Sequence, residues 1–273
     1  MRRAIDYEIR LSYYDRIVKP LPEPMQNPDN GLIPSEAPGP DFEYEDPGKI
    51  YDIFIGRTAT ESLSANHYHD AAQSVLDLIR GRSKAEDVMA HLESLKNSLE
   101  TTDSDTNTDS IIRSIAVQSL LHIGSRSFSH FLNAIERYLP LLRNVASGNL
   151  TTTGSSNLEA RIDILTAVAM FWKRSPHMIV IVFDKLMQYQ IVDPTDVVSW
   201  AFTSGGKNST ATYPSINALL WDVVRGALDK ANGRVLIARR KVATLRKEED
   251  EKAALALASN GTSMEVDAEA KPG

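Results

Sequence analysis

The sequence predicts an all-α fold: stacked antiparallel helical hairpins (a HEAT-like α-solenoid) followed by a long helical arm. Apolar residues recur at spacings of three and four through most of the chain, as one face of a helix requires. Polar breaks place the starts of successive helix pairs near Asn66, Ser110 and Ser156, about 45 residues apart, which is the period of such hairpins. No apolar segments are joined by hairpin turn pairs, so no strand is expected.

Composition narrows the function classes. The 273 residues are 42% hydrophobic and 24% charged, as in an ordinary globular protein long enough to bury a core. A net charge of -6 argues against a dominant nucleic-acid groove, because phosphate binding needs clustered lysine and arginine. The absence of cysteine excludes disulfides and thiolate chemistry. There is no run of about 18 apolar residues, so no membrane span is expected.

Two segments precede the helical repeats. Residues 1–19 are predicted as an N-terminal helix, because Ile5, Ile9 and Tyr13 are spaced by four along one face. Residues 20–49 contain most of the prolines of the chain, and such a run cannot continue a helix. They are predicted as a Pro-rich linker or a loop lying on the surface.

Residues 50–212 are predicted as the helical-hairpin repeat domain. A helix over 68–80 is expected to stop at Gly81, since glycine suits the left-handed residue that often follows a helix. A later helix over 128–145 is expected to kink at Pro140, because proline cannot donate the helical hydrogen bond.

Two helix starts in this domain are marked by a capping residue followed by proline. Ser175-Pro176 and Asp193-Pro194 each place a side-chain oxygen before a residue that suits the first helical position, because proline lacks the N–H that would be orphaned there. We therefore expect helices to begin at Pro176 and at Pro194.

Residues 213–258 are predicted as a long helix, a coiled-coil-like arm, and residues 259–273 as a disordered tail. Asn232-Gly233 should weaken or bend the helix. A helix that outruns its own core is expected to pack on another chain or on a further part of the protein. Its apolar residues recur at spacings of four and three along a narrow seam: Leu220, Val224, Ala227, Ala231, Val235, Ala238, Val242 and Leu245.

The spacing of several histidines is similar to that of metal-binding or catalytic residues, but a structural or surface role explains it more simply. His67 and His69 point about 200° apart on a helix and so do not share a metal, which favours a surface or capping role. Ser127, His122 and His130 lack the strand–turn–helix setting and the carboxylate of a serine hydrolase.

Polar loops give no site either. Asp103, Asp105 and Asp109 imitate a cation loop but lack the central glycine and late glutamate of an EF-hand. A solvated acidic loop is expected at 101–110, and whether its serines and threonines are phosphorylated is left open. Residues 205–208, GGKN, lack phosphate-loop spacing. The sequence therefore predicts no catalytic residue, no metal site, no cofactor and no enzymatic activity.

One basic cluster has two interpretations. Residues 239–241, RRK, and 246–247, RK, form either the solvated side of a helix or a weak import signal or RNA-facing patch. Residues 248–251, EEDE, immediately offset the charge, as is common on solvated helices. The sequence leaves both interpretations open and identifies no protein-binding or RNA-binding residue.

Several short segments together resemble a known family, the large subunit of the eukaryotic nuclear cap-binding complex. Each motif is weak alone, but they occur in the order of the family, over most of residues 1–245. The segments are RLSYYDRI at 10–17, SFSH at 127–130, WxxxPHMI at 172–179, DKLM at 184–187, QIVD at 190–193 and WxF at 200–202.

The resemblance implies a non-catalytic scaffold of three helical-repeat domains, each similar to the middle domain of initiation factor 4G. A small RRM-type subunit would stack the methylated guanine of the RNA cap, so this chain would contact capped RNA mainly indirectly. The scaffold would recruit mRNA processing, export and decay factors in the nucleus, without membrane contact, and shuttling to the cytoplasm is left open. Because the small subunit reads the cap, the resemblance transfers no cap-stacking residue.

The resemblance also implies that this chain contains only the beginning of the last repeat domain. Such a piece would result if one gene had been divided into separate reading frames. The first two domains and the usual import signal would then be absent from it. The alternative is a generic HEAT-like interaction adaptor in translation or trafficking. That alternative explains the helical period equally well but leaves the ordered motifs as coincidence.

Overall fold

The fold is all-α, as predicted, in the part of the chain that the computed structural model describes, and that part contains no strand. The described residues are 18–26, 39–46, 61–102, 107–148, 157–203 and 218–266. Their helices are α1 Glu23–Gln26, α2 Glu61–Arg80, α3 Ala85–Thr102, α4 Thr108–Gly124, α5 Phe128–Arg137, α6 Leu139–Ser147, α7 Asn157–Phe171, α8 Pro176–Gln188, α9 Pro194–Thr203 and α10 Ala218–Val266.

The helices are arranged as stacked hairpins, which confirms the predicted repeat architecture. In one layer α2 packs on α4, α4 on α7, and α7 on α9. The second helix of each pair packs on the first, as α3 does on α2, α5 on α4 and α8 on α7. The pairs begin at Glu61, Thr108 and Asn157, 47 and 49 residues apart.

Buried ion pairs tie the central helix α4 to its neighbours. Arg113 on α4 is only 1% exposed, and its Nη1 donates to Asp163 Oδ2 on α7 at 2.7 Å. The Nζ of Lys96, which is buried on α3, lies 2.9 Å from Asp109 Oδ1 in the first turn of α4. Because a buried charge must keep its partner, these pairs fix how α4 is placed against α3 and α7.

One predicted helix is divided in the structure, and another ends where predicted but with a different residue in the left-handed conformation. The helix over 128–145 is two helices, α5 and α6, separated at Tyr138, because Pro140 has no N–H to donate and the chain restarts around it. Helix α2 ends at Arg80, directly before Gly81 as predicted, but the left-handed residue after it is Arg82, with φ 60°, and not Gly81. Gly81 N donates to Asp77 O at 2.8 Å and so makes the last hydrogen bond of helical type at this end.

The two proline-marked starts are confirmed, since α8 begins at Pro176 and α9 at Pro194. The expected cap at Ser175 is wrong, because its side chain makes no capping hydrogen bond. At α9 the carboxylate of Asp196 reaches back and accepts from the backbone N of Asp193 at 2.7 Å. The same carboxylate lies 2.8 Å from Arg161 Nε on α7, which joins α9 to the stack.

Part of the Pro-rich linker is buried on the helices, contrary to its predicted surface position. Phe42 and Tyr44 are 2% and 7% exposed, and the Phe42 ring lies 4.8 Å from the ring of His122 on α4. Asp41 N donates to Phe171 O at 2.7 Å. Burial of two aromatic rings outweighs the surface tendency of the surrounding prolines.

Glu43 is fixed between these aromatic residues by a single side chain of α4. Its backbone N donates to Gln118 Oε1 at 3.2 Å, and Gln118 Nε2 donates in return to Glu43 Oε2. Burial raises the pKa of the Glu43 carboxyl above its usual range, while the hydrogen bond from Gln118 and the charge of Lys173 lower it. The linker segment is therefore anchored by paired hydrogen bonds as well as by its aromatic rings.

The long helix α10 is confirmed, but two details differ. It continues through Asn232 and Gly233, because one glycine inside a helix costs only about 1 kcal/mol. It also extends to Val266, so residues 259–266 are helical although a disordered tail was expected, because elongating a formed helix is easier than starting one. Residues 267–273 lie outside the described residues.

The chain divides into two compact units, Met1–Ala227 and Leu228–Gly273. The predicted boundaries at residues 49, 50, 212 and 213 lie outside the described residues, as does the predicted N-terminal helix up to residue 17. None of the described helices combines the length and apolar character needed to cross a membrane.

Candidate interaction surface

An apolar groove with a volume of about 600 Å³ lies on the first unit, lined by the start of α5, by α8 and by the first turns of α10. Phe183, Met187 and Val223 are buried and contribute to its floor. Phe128 and Ile181 are 49% and 36% exposed and border it. The groove therefore combines a buried apolar floor with exposed apolar sides.

Helix α8 supplies most of the lining because its apolar residues cover more than one face. Val180, Phe183 and Met187 recur at spacings of three and four and so share a face. Ile181 lies outside that face and remains partly exposed. Helix α8 therefore has more apolar surface than its neighbours cover, and part of it lines the open groove.

The charges that line the groove are balanced. Asp184 and Lys185 contribute one carboxylate and one ammonium, and Lys185 Nζ donates to Gln188 Oε1 at 3.0 Å. A phosphate site would need an excess of positive charge or several convergent N–H groups. An apolar groove with mixed charges suits the side chains of a protein segment instead.

Gly226 on α10 widens the groove. A Cβ built at this position would meet no other atom within 4 Å, so packing inside the chain does not require a glycine there. A glycine inside a helix is less stable than alanine by roughly 0.5–1 kcal/mol. The open space permits close approach of another backbone.

The histidines considered in the sequence have different surroundings in the structure. Ser127 caps α5, and its Oγ lies 2.7 Å from His130 Nδ1. His69 Nδ1 lies 2.9 Å from the Tyr44 carbonyl oxygen, while His67 is exposed. Of the three residues considered for nucleophilic chemistry, Ser127 and His130 therefore lie within hydrogen-bond distance at the start of α5, while the His122 ring packs on Phe42.

Of the acidic and glycine-rich candidates, only Asp109 lies within the described residues, and it does not line the groove. Asp109 pairs with buried Lys96, whereas Asp103, Asp105 and residues 205–208 lie outside the described residues. Among the described side chains, no group of three or more His, Asp or Glu residues is placed to hold a metal ion.

The basic cluster lies in the second unit, on α10. The side chains of 239–241 and 246–247 are exposed, and Lys247 Nζ lies 3.7 Å from Glu251 Oε1. This cluster is separate from the groove residues in the sequence and belongs to a different unit.

Sequence reasoning identified no interaction residue, so the groove is new information from the structure. Two weak signals pointed toward it. Ile181 is apolar outside the buried face of α8, and Phe128 follows the capping residue of α5, where a large apolar side chain gains little burial. Neither signal shows without the fold that the two residues border one groove.

Comparison with known families gives a match to the family described as MIF4G like, over residues 62–271. The matched range includes α3 to α10 and nearly all of α2, and therefore the groove and the basic cluster. The family is defined by helical-repeat domains, in agreement with the stacked hairpins.

Similar curated proteins are named nuclear cap-binding protein subunit 1. The rice relative (Oryza sativa subsp. japonica) is 25% identical over 272 residues, which cover 97% of this chain and 27% of the relative. The Aedes aegypti relative is 29% identical over 83% of this chain, and the Schizosaccharomyces pombe relative 25% over 86%. The chain spans about a quarter of the length of these relatives.

Proposed function

The chain belongs to the MIF4G-like family, and we propose that it serves as a non-catalytic scaffold segment of a nuclear cap-binding complex. The observation that carries the proposal is the match to a protein named nuclear cap-binding protein subunit 1, which covers 97% of this chain at 25% identity. In this function the chain acts in the nucleus, with shuttling to the cytoplasm. It supports cap binding by a small RRM-type subunit and recruits mRNA processing, export and decay factors.

Two features of the described residues support a scaffold and not an enzyme. The buried charged groups on α3, α4, α7 and α9 have ion-pair partners that join helices to one another. The groove is apolar and carries one acidic and one basic residue instead of a cluster of titratable groups. Such a surface can hold a protein segment by shape and apolar contact.

The groove is the surface that we assign to protein contact within the complex. Phe128 offers a large exposed ring beside a buried floor, which is the arrangement of many binding hot spots. Contact with RNA is then mostly indirect, through the small subunit.

We expect the purified chain to retain the small RRM-type subunit encoded in the same genome, and Phe128→Asp to weaken that binding by roughly tenfold or more. A charge at Phe128 would have to be desolvated when the partner covers the groove. The measurement is the dissociation constant by biolayer interferometry, with the small subunit immobilised.

Phe202→Asp is the matched control, because Phe202 is 48% exposed, almost as much as Phe128, but does not line the groove. Its affinity should stay within about twofold of the unmodified chain. If both variants are folded and lose affinity for the small subunit equally, the groove is not part of the interface. No binding by the folded unmodified chain would count against the proposed function itself.

A further inference from the structure

Helix α10 contains a long basic stretch. Residues 230–247 include seven Lys or Arg residues and no Asp or Glu, although the whole chain has a net charge of -6. At 1.5 Å per residue the stretch covers about 27 Å of helix. All of it belongs to the second unit, Leu228–Gly273. A run of one charge sign on an otherwise acidic chain attracts a partner that carries repeated negative charges.

The basic cluster at 239–241 and 246–247 is the exposed part of this stretch. Its five side chains are exposed, and within the described part of the chain Lys247 is the one member with an ion pair, 3.7 Å from Glu251 Oε1. An exposed pair of this kind is weak and does not remove the charge. The acidic run at 248–251 begins about 13 Å along the helix from the first residue of the cluster. That distance exceeds the Debye length of about 8 Å at about 0.15 M salt, so the cluster keeps its positive potential.

The charges of the cluster lie on three sides of the helix. Arg239 and Arg246, seven residues apart, share one side, and Arg240 and Lys247 share the next, because successive residues are rotated by about 100°. Lys241 lies on a third side. The side with Arg240 and Lys247 is opposite the apolar seam of the helix, so a chain packed along the seam would leave it open.

Two exposed apolar side chains lie among these charges. Leu236 and Ile237 are 54% and 62% exposed and precede Arg240 and Lys241 by one turn. Neither belongs to the apolar seam. A nucleotide presents both a charged phosphate and the apolar face of a base, so a surface that combines cations with exposed apolar side chains suits a nucleic-acid strand. An acidic peptide would use the cations alone.

We propose that the basic cluster, with Leu236 and Ile237, binds a single strand of RNA through its phosphate backbone. A flexible single strand can bend to meet charges on different sides of the helix, whereas a stiff duplex would meet one side. The choice of RNA over DNA rests on the proposed function, in which the chain belongs to a complex that holds RNA. Because phosphate contacts carry no sequence information, this binding is independent of base sequence and of the cap.

The test uses the full 273-residue chain without the small subunit. The probe is a fluorescent, uncapped oligouridine of about 12 nucleotides, a length that single-strand surfaces occupy. Fluorescence anisotropy gives the affinity between about 0.05 and 0.3 M salt, and the logarithm of the binding constant should fall linearly with that of the salt concentration. A polyglutamate peptide of equal charge should bind at least about tenfold more weakly. An oligodeoxythymidine of equal length should bind no more tightly than the RNA.

The decisive variant is Arg240→Gln with Lys247→Gln, which removes two cations and keeps two good helix formers. Its affinity for the RNA should fall by roughly fivefold or more. The slope of the salt dependence should also become shallower by about 1.4, since each phosphate contact to a single strand contributes about 0.7. The matched control is Lys84→Gln with Arg126→Gln, which makes the same change in net charge at exposed positions of the first unit. The control should stay within about twofold of the unmodified chain with an unchanged slope, and circular dichroism should show equal helicity in all three chains.

Absence of binding at about 0.15 M salt by the folded chain would overturn the proposal. Equal losses in the two double variants would also overturn it, because total charge and not the basic cluster would then decide. Polyglutamate that binds as tightly as the RNA would assign the surface to an acidic protein, and DNA that binds more tightly would contradict the choice of RNA. The small subunit and the cap are absent throughout, so these failures are distinct from a failure of the proposed function, which retention of the small subunit measures separately.

Discussion

Replacement of Asp163 by alanine should lower the free energy of unfolding by about 3 kcal/mol, because it leaves a buried positive charge without its carboxylate. Arg113 is 1% exposed and its Nη1 lies 2.7 Å from Asp163 Oδ2. Arginine does not lose its proton at accessible pH, so it cannot escape the penalty by becoming neutral. The pair also joins α4 to α7 in the middle of the stack, where the chain has little freedom to adapt.

Urea denaturation followed by circular dichroism measures this loss. Asp77→Ala is the matched control: its carboxylate lies 2.8 Å from Arg80, but the two side chains are 72% and 52% exposed. The control should change the free energy of unfolding by less than about 0.5 kcal/mol, since exposed ion pairs contribute little. Similar losses for both variants would contradict a buried role for Asp163.

Phe183→Ala should destabilise the chain by about 3–5 kcal/mol, as expected when a buried aromatic side chain is removed. The Phe183 ring is 1% exposed and lies edge-on to the ring of Trp200, with centroids 5.0 Å apart. The cavity would open between α8 and α9, in the floor of the groove. Ring contacts of this kind add roughly 0.5–1.5 kcal/mol to area burial.

The matched control for Phe183 is Phe202→Ala, since Phe202 is 48% exposed on α9. Its loss should stay below about 1 kcal/mol in the same urea experiment. Equal midpoints for the two variants would show that Phe183 is not part of the cooperative core.

Much of the fold could be predicted because its signals are local. The starts at Pro176 and Pro194 follow from the geometry of proline, and the helices follow from apolar spacing. The hairpin stack follows in turn, because each pair has one apolar face that only a neighbouring pair can bury.

The parts of the fold that could not be predicted depend on contacts between residues far apart in the sequence. The proline content around Phe42 and Tyr44 predicted a surface linker, but the fold offers buried sites for both rings. The interaction surfaces were hidden for a similar reason. Ile181 and Phe128 are about 50 positions apart in the sequence, and only the packing of α5 and α8 makes them neighbours of one groove.

The central claim, that the chain is a scaffold segment of a nuclear cap-binding complex, is tested most directly by a chimera. The aligned segment of the Schizosaccharomyces pombe relative, named nuclear cap-binding protein subunit 1, is replaced by this chain and co-expressed with the small RRM-type subunit. The measured quantity is the amount of both subunits retained on a cap-analogue resin. We expect retention comparable to that of the unmodified relative, and none with an unrelated helical repeat of equal length. A folded chimera that binds neither the small subunit nor the resin would contradict the claim.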